Sequence, residues 1–214
     1  DVPREELFIT TKLWNDSQTN AAEALDESLQ KLGLDYVDLY LIHWPCPENG
    51  NYVEAWKQMI ELQKSGKVKS IGVSNFELEH LEQLETHTSV TPVVNQVELH
   101  PHLQRWRELD AFRAHGVKIE AWGPLGQGQT DLFEIDEVTE PAKKYGVSPA
   151  QVIIRWHLQN DVILFPKSAN PERIAENFDV FGFELTEDEM AAITDLDLGE
   201  EGRGGPHPNE FNAS

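Results

Sequence analysis

The sequence predicts an α/β protein, a parallel (β/α)8 barrel, and two observations carry that prediction. Six short segments rich in valine and isoleucine alternate with segments whose apolar residues recur at three- and four-residue spacing, which is typical of strands followed by helices. The alternative is an open doubly wound sheet, which usually carries a G-x-G-x-x-G turn after its first strand, and the sequence contains no such motif. The 214 residues therefore contain six of the eight strand–helix units of a (β/α)8 TIM barrel.

The predicted strands come first in each unit, and helix-stop and helix-start residues mark the segments between them. The strands are predicted at residues 7–12, 37–43, 68–75, 93–100, 117–122 and 162–168. The helices are predicted at 21–33, 52–66, 77–87, 107–116, 138–146, 148–159, 171–180 and 186–197. Gly33 ends the first helix, Ser148 and Pro149 begin the sixth, and Thr186 with Glu189 forms a capping box.

The length fits a single domain, residues 1–214, in which residues 199–214 form a C-terminal tail. The chain opens on DVPREEL, which resembles the interior of a protein rather than a start. We therefore expect an N-terminal portion upstream of Asp1 that supplies the other two units. The alternative, an incomplete barrel, would expose strand edges and be prone to aggregate.

The charge balance is strongly acidic, with 38 acidic and 17 basic residues and a net charge of −21. Nucleic-acid binding needs a basic surface, so we expect no nucleic-acid partner. Two interpretations stay open: a well-solvated acidic surface, and adaptation to high salt.

Other features bound the location and partners of the protein. No apolar run approaches the roughly 20 residues of a membrane helix, so no membrane partner is expected. The single cysteine, Cys46, fits a reducing compartment, and we predict a cytoplasmic location.

Residues with functional side chains lie at or near the carboxyl end of each predicted strand. Lys12 ends the first strand and His43 the second, and the others carry Ser74, Asn75, Asn95, Gln96, Trp122, Lys167 and Ser168 at or near their ends. In a barrel all strand carboxyl ends open onto one face, which holds the active site. The shared position of these residues at the strand carboxyl ends therefore predicts an active-site face. Glu98 and His100 precede Pro101, and we interpret them as structural residues that tie the strand to its loop.

Several sequence blocks resemble those of the aldo-keto reductases. The blocks are FITTKLW, LDYVDLYLIHWP, IGVSNF, VVNQVELHP, EAWGPLGQG, and FPKS followed by RIAEN, in order from Leu7 to about Asp197. Within the family the likeness is greatest to the bacterial 2,5-diketo-D-gluconate reductases, through WGPLGQG, RWHLQ and the tail HPNE. The resemblance implies a barrel that binds NADPH and reduces the carbonyl of a small aldehyde, ketone or keto-sugar acid. It also implies a monomer, as many members of the family are.

The resemblance also implies a catalytic group of Asp, Tyr, Lys and His. Lys12 matches the lysine and His43 the histidine, and Trp14 and Trp44 match positions that shape the substrate pocket. The family's Asp and Tyr belong to a segment that would precede Asp1. The four tyrosines of this sequence, Tyr36, Tyr40, Tyr52 and Tyr145, lie outside the matching motif.

The cofactor residues implied by the resemblance fall into three groups. Ser74, Asn75 and Gln96 would hold the nicotinamide carboxamide, and Trp122 would stack on its ring. The loop with Gly123, Leu125, Gly126, Gln127 and Gly128 would approach the pyrophosphate. The adenosine 2′-phosphate and adenine would meet Lys167, Ser168, Arg173, Glu176 and Asn177. Asn170 and Pro171 depart from the pattern of this segment, which leaves room for some use of NADH.

We therefore expect an NADPH-dependent reductase without a metal site. The alternative is a cofactor-binding, non-catalytic protein with the same fold, such as a regulatory subunit. The residues upstream of Asp1 would discriminate the two, because an Asp followed by Tyr-Gly-Asn-Glu favours the enzyme.

Overall fold

The computed structural model describes residues 2–128 and 131–213, which form two compact units. The first unit contains residues 2–96, 110–118 and 206–213, and the second contains Val97–Leu109 and Ile119–Gly205. The prediction of one domain over residues 1–214, with a tail at 199–214, stays a prediction.

Six strands lie in one sheet in the order β1-β2-β3-β4-β5-β6. They are β1 (Thr10–Leu13), β2 (Val37–Ile42), β3 (Val68–Ser74), β4 (Val94–Glu98), β5 (Lys118–Trp122) and β6 (Ile163–Leu164). The pairs β1–β2, β2–β3, β3–β4 and β5–β6 are parallel. This sequential parallel order, with helices between the strands, confirms the predicted α/β fold class.

All eight predicted helices are present, and their ends lie within two residues of those predicted except at the last helix, which ends three residues earlier, at Thr194. They are α1 (Ala21–Leu32), α2 (Tyr52–Lys64), α3 (Leu78–Thr88), α4 (Trp106–Ala114), α5 (Asp136–Tyr145), α6 (Pro149–Gln159), α7 (Pro171–Phe178) and α8 (Glu187–Thr194). The C-cap Gly33 has a left-handed φ of 67°, and the capping boxes at Ser148 and Thr186 both form. The capping residues in the sequence therefore predicted these helix ends correctly.

Three predicted strands are too long. The first begins at Thr10, because the side chain of Arg4 binds the carbonyl of Leu7 and Phe8 is 66% exposed. The fourth ends at Glu98, because His100 and Leu103 pair across a turn. The sixth covers only Ile163–Leu164, since Pro166 has no backbone N–H to donate to a neighbouring strand.

The core of the first unit fixes the strand register on which its polar groups depend. Helix residues such as Leu25, Trp56 and Met59 pack with strand residues such as Tyr40 and Ile71 in one buried cluster. Burial of such side chains contributes about 1.5–3 kcal/mol each. The register that results pairs Lys12 with Leu41 and Ser74 with Gln96, so the carboxyl ends of β1 to β4 stay in step.

The second unit has its own core, in which α6 and α8 contribute Val152, Ile153, Trp156 and Ile193. Among residues 2–128 and 131–213, no helix is long and apolar enough to cross a membrane. Within the same residues, no three His, Cys, Asp or Glu side chains form a group suited to a metal ion.

Candidate active site

Lys12 lies at the carboxyl end of β1 and its ammonium group donates a hydrogen bond to Oε1 of Gln96 on β4. Burying an ammonium group without a partner would be costly. The structure thus provides a polar partner for Lys12 from a strand 84 residues further along the chain. This contact joins a predicted catalytic residue to a predicted cofactor residue within the first unit.

His43 follows β2, and its backbone N–H donates to the carbonyl of Leu13 at 3.1 Å. Burial and the nearby charge of Lys12 lower the pKa of His43 to about 4. The imidazole is therefore neutral at pH 7, and it donates through one ring nitrogen only. The Trp14 ring meets His43 edge-on, with 5.0 Å between the ring centroids.

Ser74 and Asn75 are buried at the end of β3. The Ser74 hydroxyl donates to the Gln96 carbonyl at 2.9 Å, and the Asn75 backbone N–H donates to the same oxygen at 2.8 Å. The Asn75 side-chain amide donates to the His43 carbonyl at 3.1 Å and to the Ser74 hydroxyl at 3.2 Å. Asn75 has a left-handed φ of 61°, a conformation that asparagine tolerates better than most residues. These bonds connect the ends of β2, β3 and β4.

The two predicted substrate-pocket tryptophans differ in exposure. Trp14 is 47% exposed, whereas Trp44 is only 7% exposed and packs on Phe211, with 4.5 Å between ring centroids. The segment around Phe211 is held by hydrogen bonds from the Asn15 side chain to Ala213 and from the Glu48 backbone to Asn212. Phe211 could not be predicted from the sequence, because no motif marks a contact so distant along the chain.

Each tyrosine has another structural role, in agreement with its position outside the catalytic motif. Tyr36 packs under the Arg4 guanidinium at 4.0 Å, and Tyr40 is fully buried, which raises the pKa of its phenol. Tyr52 packs edge-on against Phe76. Tyr145 donates to Glu189 at 2.8 Å.

In the second unit, six predicted cofactor residues line one cavity of about 340 Å³. They are Leu125, Lys167, Ser168, Arg173, Glu176 and Asn177. The other lining residues are Phe133 and, at the start of α6, Ser148, Pro149 and Ala150. No sequence motif indicates a functional role for these four. Two cations and several hydrogen-bonding groups therefore face one space of nucleotide-fragment size.

Asn170 and Pro171 were expected to weaken this region, and the structure gives them a local role. The Asn170 side chain accepts hydrogen bonds from the backbone N–H groups of Glu172 at 2.8 Å and Arg173 at 3.3 Å. Pro171 occupies the first position of α7, where its missing N–H costs nothing. The pair thus fixes the start of the helix that carries Arg173.

The glycine-containing loop after β5 turns sharply. Gly123 and Gly126 have φ values of 62° and 72°, Gln127 has 52°, and the Gly126 N–H donates to the Gly123 carbonyl. Gly123, Gly126 and Gln127 line a second cavity of about 510 Å³, together with acidic Glu98, Asp131 and Glu201. Gly128 ends the short 3-10 helix of this loop. The loop therefore presents Leu125 to one cavity, and Gly123, Gly126 and Gln127 to another whose wall contains three carboxylates and also Arg203.

Glu98 is structural, as predicted, but it binds the C-terminal segment. Its two carboxylate oxygens accept the N–H groups of Gly204 at 2.8 Å and Gly205 at 2.9 Å, and His100 lies 3.3 Å away. Burial would raise the pKa of Glu98, but the hydrogen bonds from His100, Gly205 and Gly204 outweigh it and hold the pKa below its usual value. The loop contact predicted for this pair is made by His100, whose backbone pairs with Leu103. Trp122 at the end of β5 is half-buried.

Comparison with known proteins identifies the family of this chain. The family model described as "Aldo/keto reductase family" matches residues 1–198. The chain belongs to the aldo/keto reductase family. It is 55% identical over 211 residues to the methylglyoxal reductase DkgA of Escherichia coli, a match that covers 98% of this chain and 76% of that relative.

Other relatives extend the likeness to solved structures. An aldo-keto reductase of Mycolicibacterium smegmatis is 50% identical over 213 residues, covering 99% of this chain and 76% of that protein. The crystal structure of a mutant of Gox0644 in complex with NADPH superposes with a TM-score of 0.93 at 50% identity. That match covers 97% of this chain and 76% of the Gox0644 chain. The six strands and their helices thus correspond to the (β/α)8 barrel of this family.

Proposed function

We propose that this protein is an NADPH-dependent oxidoreductase that reduces the carbonyl group of a small aldehyde, ketone or keto-sugar acid to an alcohol. The observation that carries the proposal is the cavity lined by Leu125, Lys167, Ser168, Arg173, Glu176 and Asn177. Its two cations suit a phosphate group such as the adenosine 2′-phosphate, and arginine can bind phosphate in a bidentate manner. The solved NADPH complex of a relative supports the same cofactor.

The first unit supports a site for the nicotinamide end of the cofactor. The Ser74 hydroxyl and the Asn75 amide are held by hydrogen bonds to the backbone carbonyls of Gln96 and His43, respectively. The Gln96 side-chain amide accepts a hydrogen bond from the ammonium group of Lys12. Such groups suit a carboxamide, which needs both donors and acceptors. In the second unit, Trp122 offers an aromatic ring for stacking. When bound, NADPH supplies the hydride.

Lys12 and His43 are proposed to act on the substrate side of the reaction. The ammonium group of Lys12 would stabilise the phenolate of a tyrosine proton donor and lower its pKa from about 10 toward neutrality. No tyrosine among the four in this sequence matches that donor. His43, neutral at pH 7, would donate a hydrogen bond to the substrate oxygen as negative charge develops there.

The substrate class rests on the relatives and on the aromatic side chains near His43. The Escherichia coli relative is named methylglyoxal reductase, and Trp14 lies edge-on to His43 with nearly half of its surface exposed. We propose 2-oxoaldehydes such as methylglyoxal, simple aldehydes and 2,5-diketogluconate as substrates. The departure from the family pattern at Asn170 and Pro171 leaves room for some reaction with NADH.

The test is to replace Lys12 by methionine in the protein expressed from its complete reading frame. We expect turnover of NADPH with methylglyoxal to fall at least a hundredfold, because the group that stabilises the phenolate is lost. NADPH oxidation is followed by absorbance, and cofactor affinity by calorimetry. Lys57→Met, which changes an exposed lysine of α2, is the matched control.

Two results would contradict the proposal. Wild-type turnover in Lys12→Met would remove Lys12 from the catalytic group. Binding of NADPH by the unmodified protein without turnover of any carbonyl substrate would favour the alternative, a cofactor-binding regulatory protein.

A further inference from the structure

A contact between the C-terminal segment and the end of β5 has no place in the function proposed so far. Gly205 lies so close to Trp122 that a Cβ atom at this position would be 2.6 Å from Cη2 and 3.2 Å from Cζ2 of the indole. Real Cβ atoms essentially never come within 3.0 Å of such atoms. The backbone at Gly205 therefore lies against the Cη2–Cζ2 edge of the Trp122 indole, where glycine alone leaves room for the ring.

Glu98 holds that backbone in place. It is a buried carboxylate at the end of β4, and each of its oxygens accepts one of two successive backbone N–H groups, those of Gly204 and Gly205. Hydrogen bonds to a charged acceptor are roughly twice as strong as those between neutral groups. A Cβ at Gly205 would also lie 3.1 Å from Glu98 Oε2. The carboxylate, the two glycines and the indole thus pack as one assembly.

We infer that Glu98, Gly204 and Gly205 form a latch that positions the Trp122 ring for stacking on the nicotinamide. The inference rests on the proposed function, in which Trp122 is the stacking residue. Glu98 and Gly205 are positioning residues: they act through Trp122. The latch gives the C-terminal segment a role in nicotinamide affinity that none of the cofactor motifs predicts.

The physical basis is that stacking on another ring requires a narrow range of orientations of the indole. A ring that is packed on one side by backbone has its orientation fixed before the ligand arrives, so binding loses less side-chain entropy. A methyl group at Gly205 must displace either the indole or the segment, because no space is left between them. Either displacement moves the ring from the orientation that the latch sets.

The experiment compares two ligands by calorimetry on the complete protein. NADPH contains the nicotinamide, whereas adenosine 2′,5′-bisphosphate contains only the part proposed for the cavity with Lys167 and Arg173. For Gly205→Ala we expect the Kd of NADPH to rise at least tenfold, while the Kd of the bisphosphate stays within twofold. Gly182→Ala is the matched control, because a Cβ at Gly182 meets no atom within 4 Å.

A second variant protects the test against misfolding. Glu98→Gln keeps the shape of the side chain but replaces one acceptor oxygen by an N–H₂ group that faces a backbone N–H. We expect the same selective loss of NADPH affinity, with folding checked by circular dichroism. If Gly205→Ala does not fold, Glu98→Gln decides alone.

Three outcomes would overturn the latch: wild-type NADPH affinity in the variants, equal loss for both ligands, or opposite behaviour of the two variants. A failure of the proposed function is distinguishable in the unmodified protein. If the cofactor site is wrong, the protein binds neither NADPH nor the bisphosphate; if only the reaction is wrong, it binds both but turns over no carbonyl substrate.

Discussion

The two regions proposed to hold the ends of the cofactor are built in opposite ways. In the first unit, Ser74, Asn75 and Gln96 are buried; Ser74 and Asn75 donate hydrogen bonds to the Gln96 carbonyl, and the Gln96 side chain accepts one from Lys12. In the second unit, Lys167 and Arg173 are exposed. The first region is therefore organised before a ligand arrives, whereas the second must order long side chains when a phosphate binds, at about 0.5–1.5 kcal/mol for each.

This difference fits the chemistry proposed for each region. Hydride transfer requires the reacting atoms to be held about 3–3.5 Å apart, so the nicotinamide end needs a rigid frame. The phosphate end contributes affinity and selects between NADPH and NADH, and flexible charged side chains suffice for this. Substitutions should therefore affect stability in the first region and cofactor preference in the second.

The largest effect is expected for Asn75→Ala. Alanine loses the side-chain hydrogen bonds to His43 and Ser74 and must still adopt the left-handed φ of 61°. The lost bonds and the strained backbone should together lower the free energy of unfolding by about 3 kcal/mol. Urea denaturation measures the change.

Asn75→Gly is the control that separates these two causes. Glycine also loses the side-chain bonds but adopts a left-handed φ without steric cost, so it should lose about 1 kcal/mol less than alanine does. Equal stability of Asn75→Ala and the unmodified protein would show that this region is not rigid, and the comparison would fail.

Arg173→Ala tests the exposed region and should have a smaller, selective effect. Arg173 lies on an exposed position of α7, so unfolding free energy should change by less than about 0.5 kcal/mol. The KM for NADPH should rise about tenfold, since a charge-assisted contact of about 1.5 kcal/mol is lost. The KM for NADH, which has no 2′-phosphate, should not change.

The matched control for this variant is Arg107→Ala, at an exposed position of α4 far along the sequence from the cavity residues. It should leave both KM values unchanged. If Arg173→Ala raised the KM values for NADPH and NADH equally, the proposed phosphate contact would be wrong.

The same contrast explains what the sequence could predict. Helix ends followed from local signals such as Gly33, Ser148 and Thr186, because a cap depends on residues within one turn. The polar ends of the strands were also predictable, since each strand begins as an apolar run and the polar residues mark where that run ends. Contacts over long separations were not: Glu98 binds Gly204 across 106 residues, and no periodicity relates the two.

Strand length was the other error, and it has a related cause. Phe8 was included in the first strand because it is apolar, yet 66% of its surface is exposed. The pattern of apolar residues records suitability for burial, but actual burial depends on which elements lie nearby. In the sixth strand the limit is local: Pro166 cannot donate a backbone hydrogen bond, so pairing ends before it even though the flanking residues favour a strand.

The smallest expected effect is that of salt, which should raise the unfolding free energy of the chain but lower its affinity for NADPH. With a net charge of −21, the folded chain experiences repulsion between like charges, which salt screens as the Debye length falls from about 10 Å at 0.1 M to about 3 Å at 1 M. We expect unfolding free energy to rise by about 1 kcal/mol between these concentrations, as adaptation to high salt would require.

Cofactor affinity should respond differently to the same change. Attraction between a phosphate and the exposed Lys167 and Arg173 is screened, so NADPH should bind more weakly at 1 M salt, whereas affinity for NADH should change much less. Thermal unfolding and calorimetry in the same salt series measure both effects. Loss of stability above about 1 M salt would argue against adaptation to high salt, and equal weakening of NADPH and NADH would argue against an exposed, charge-based phosphate site.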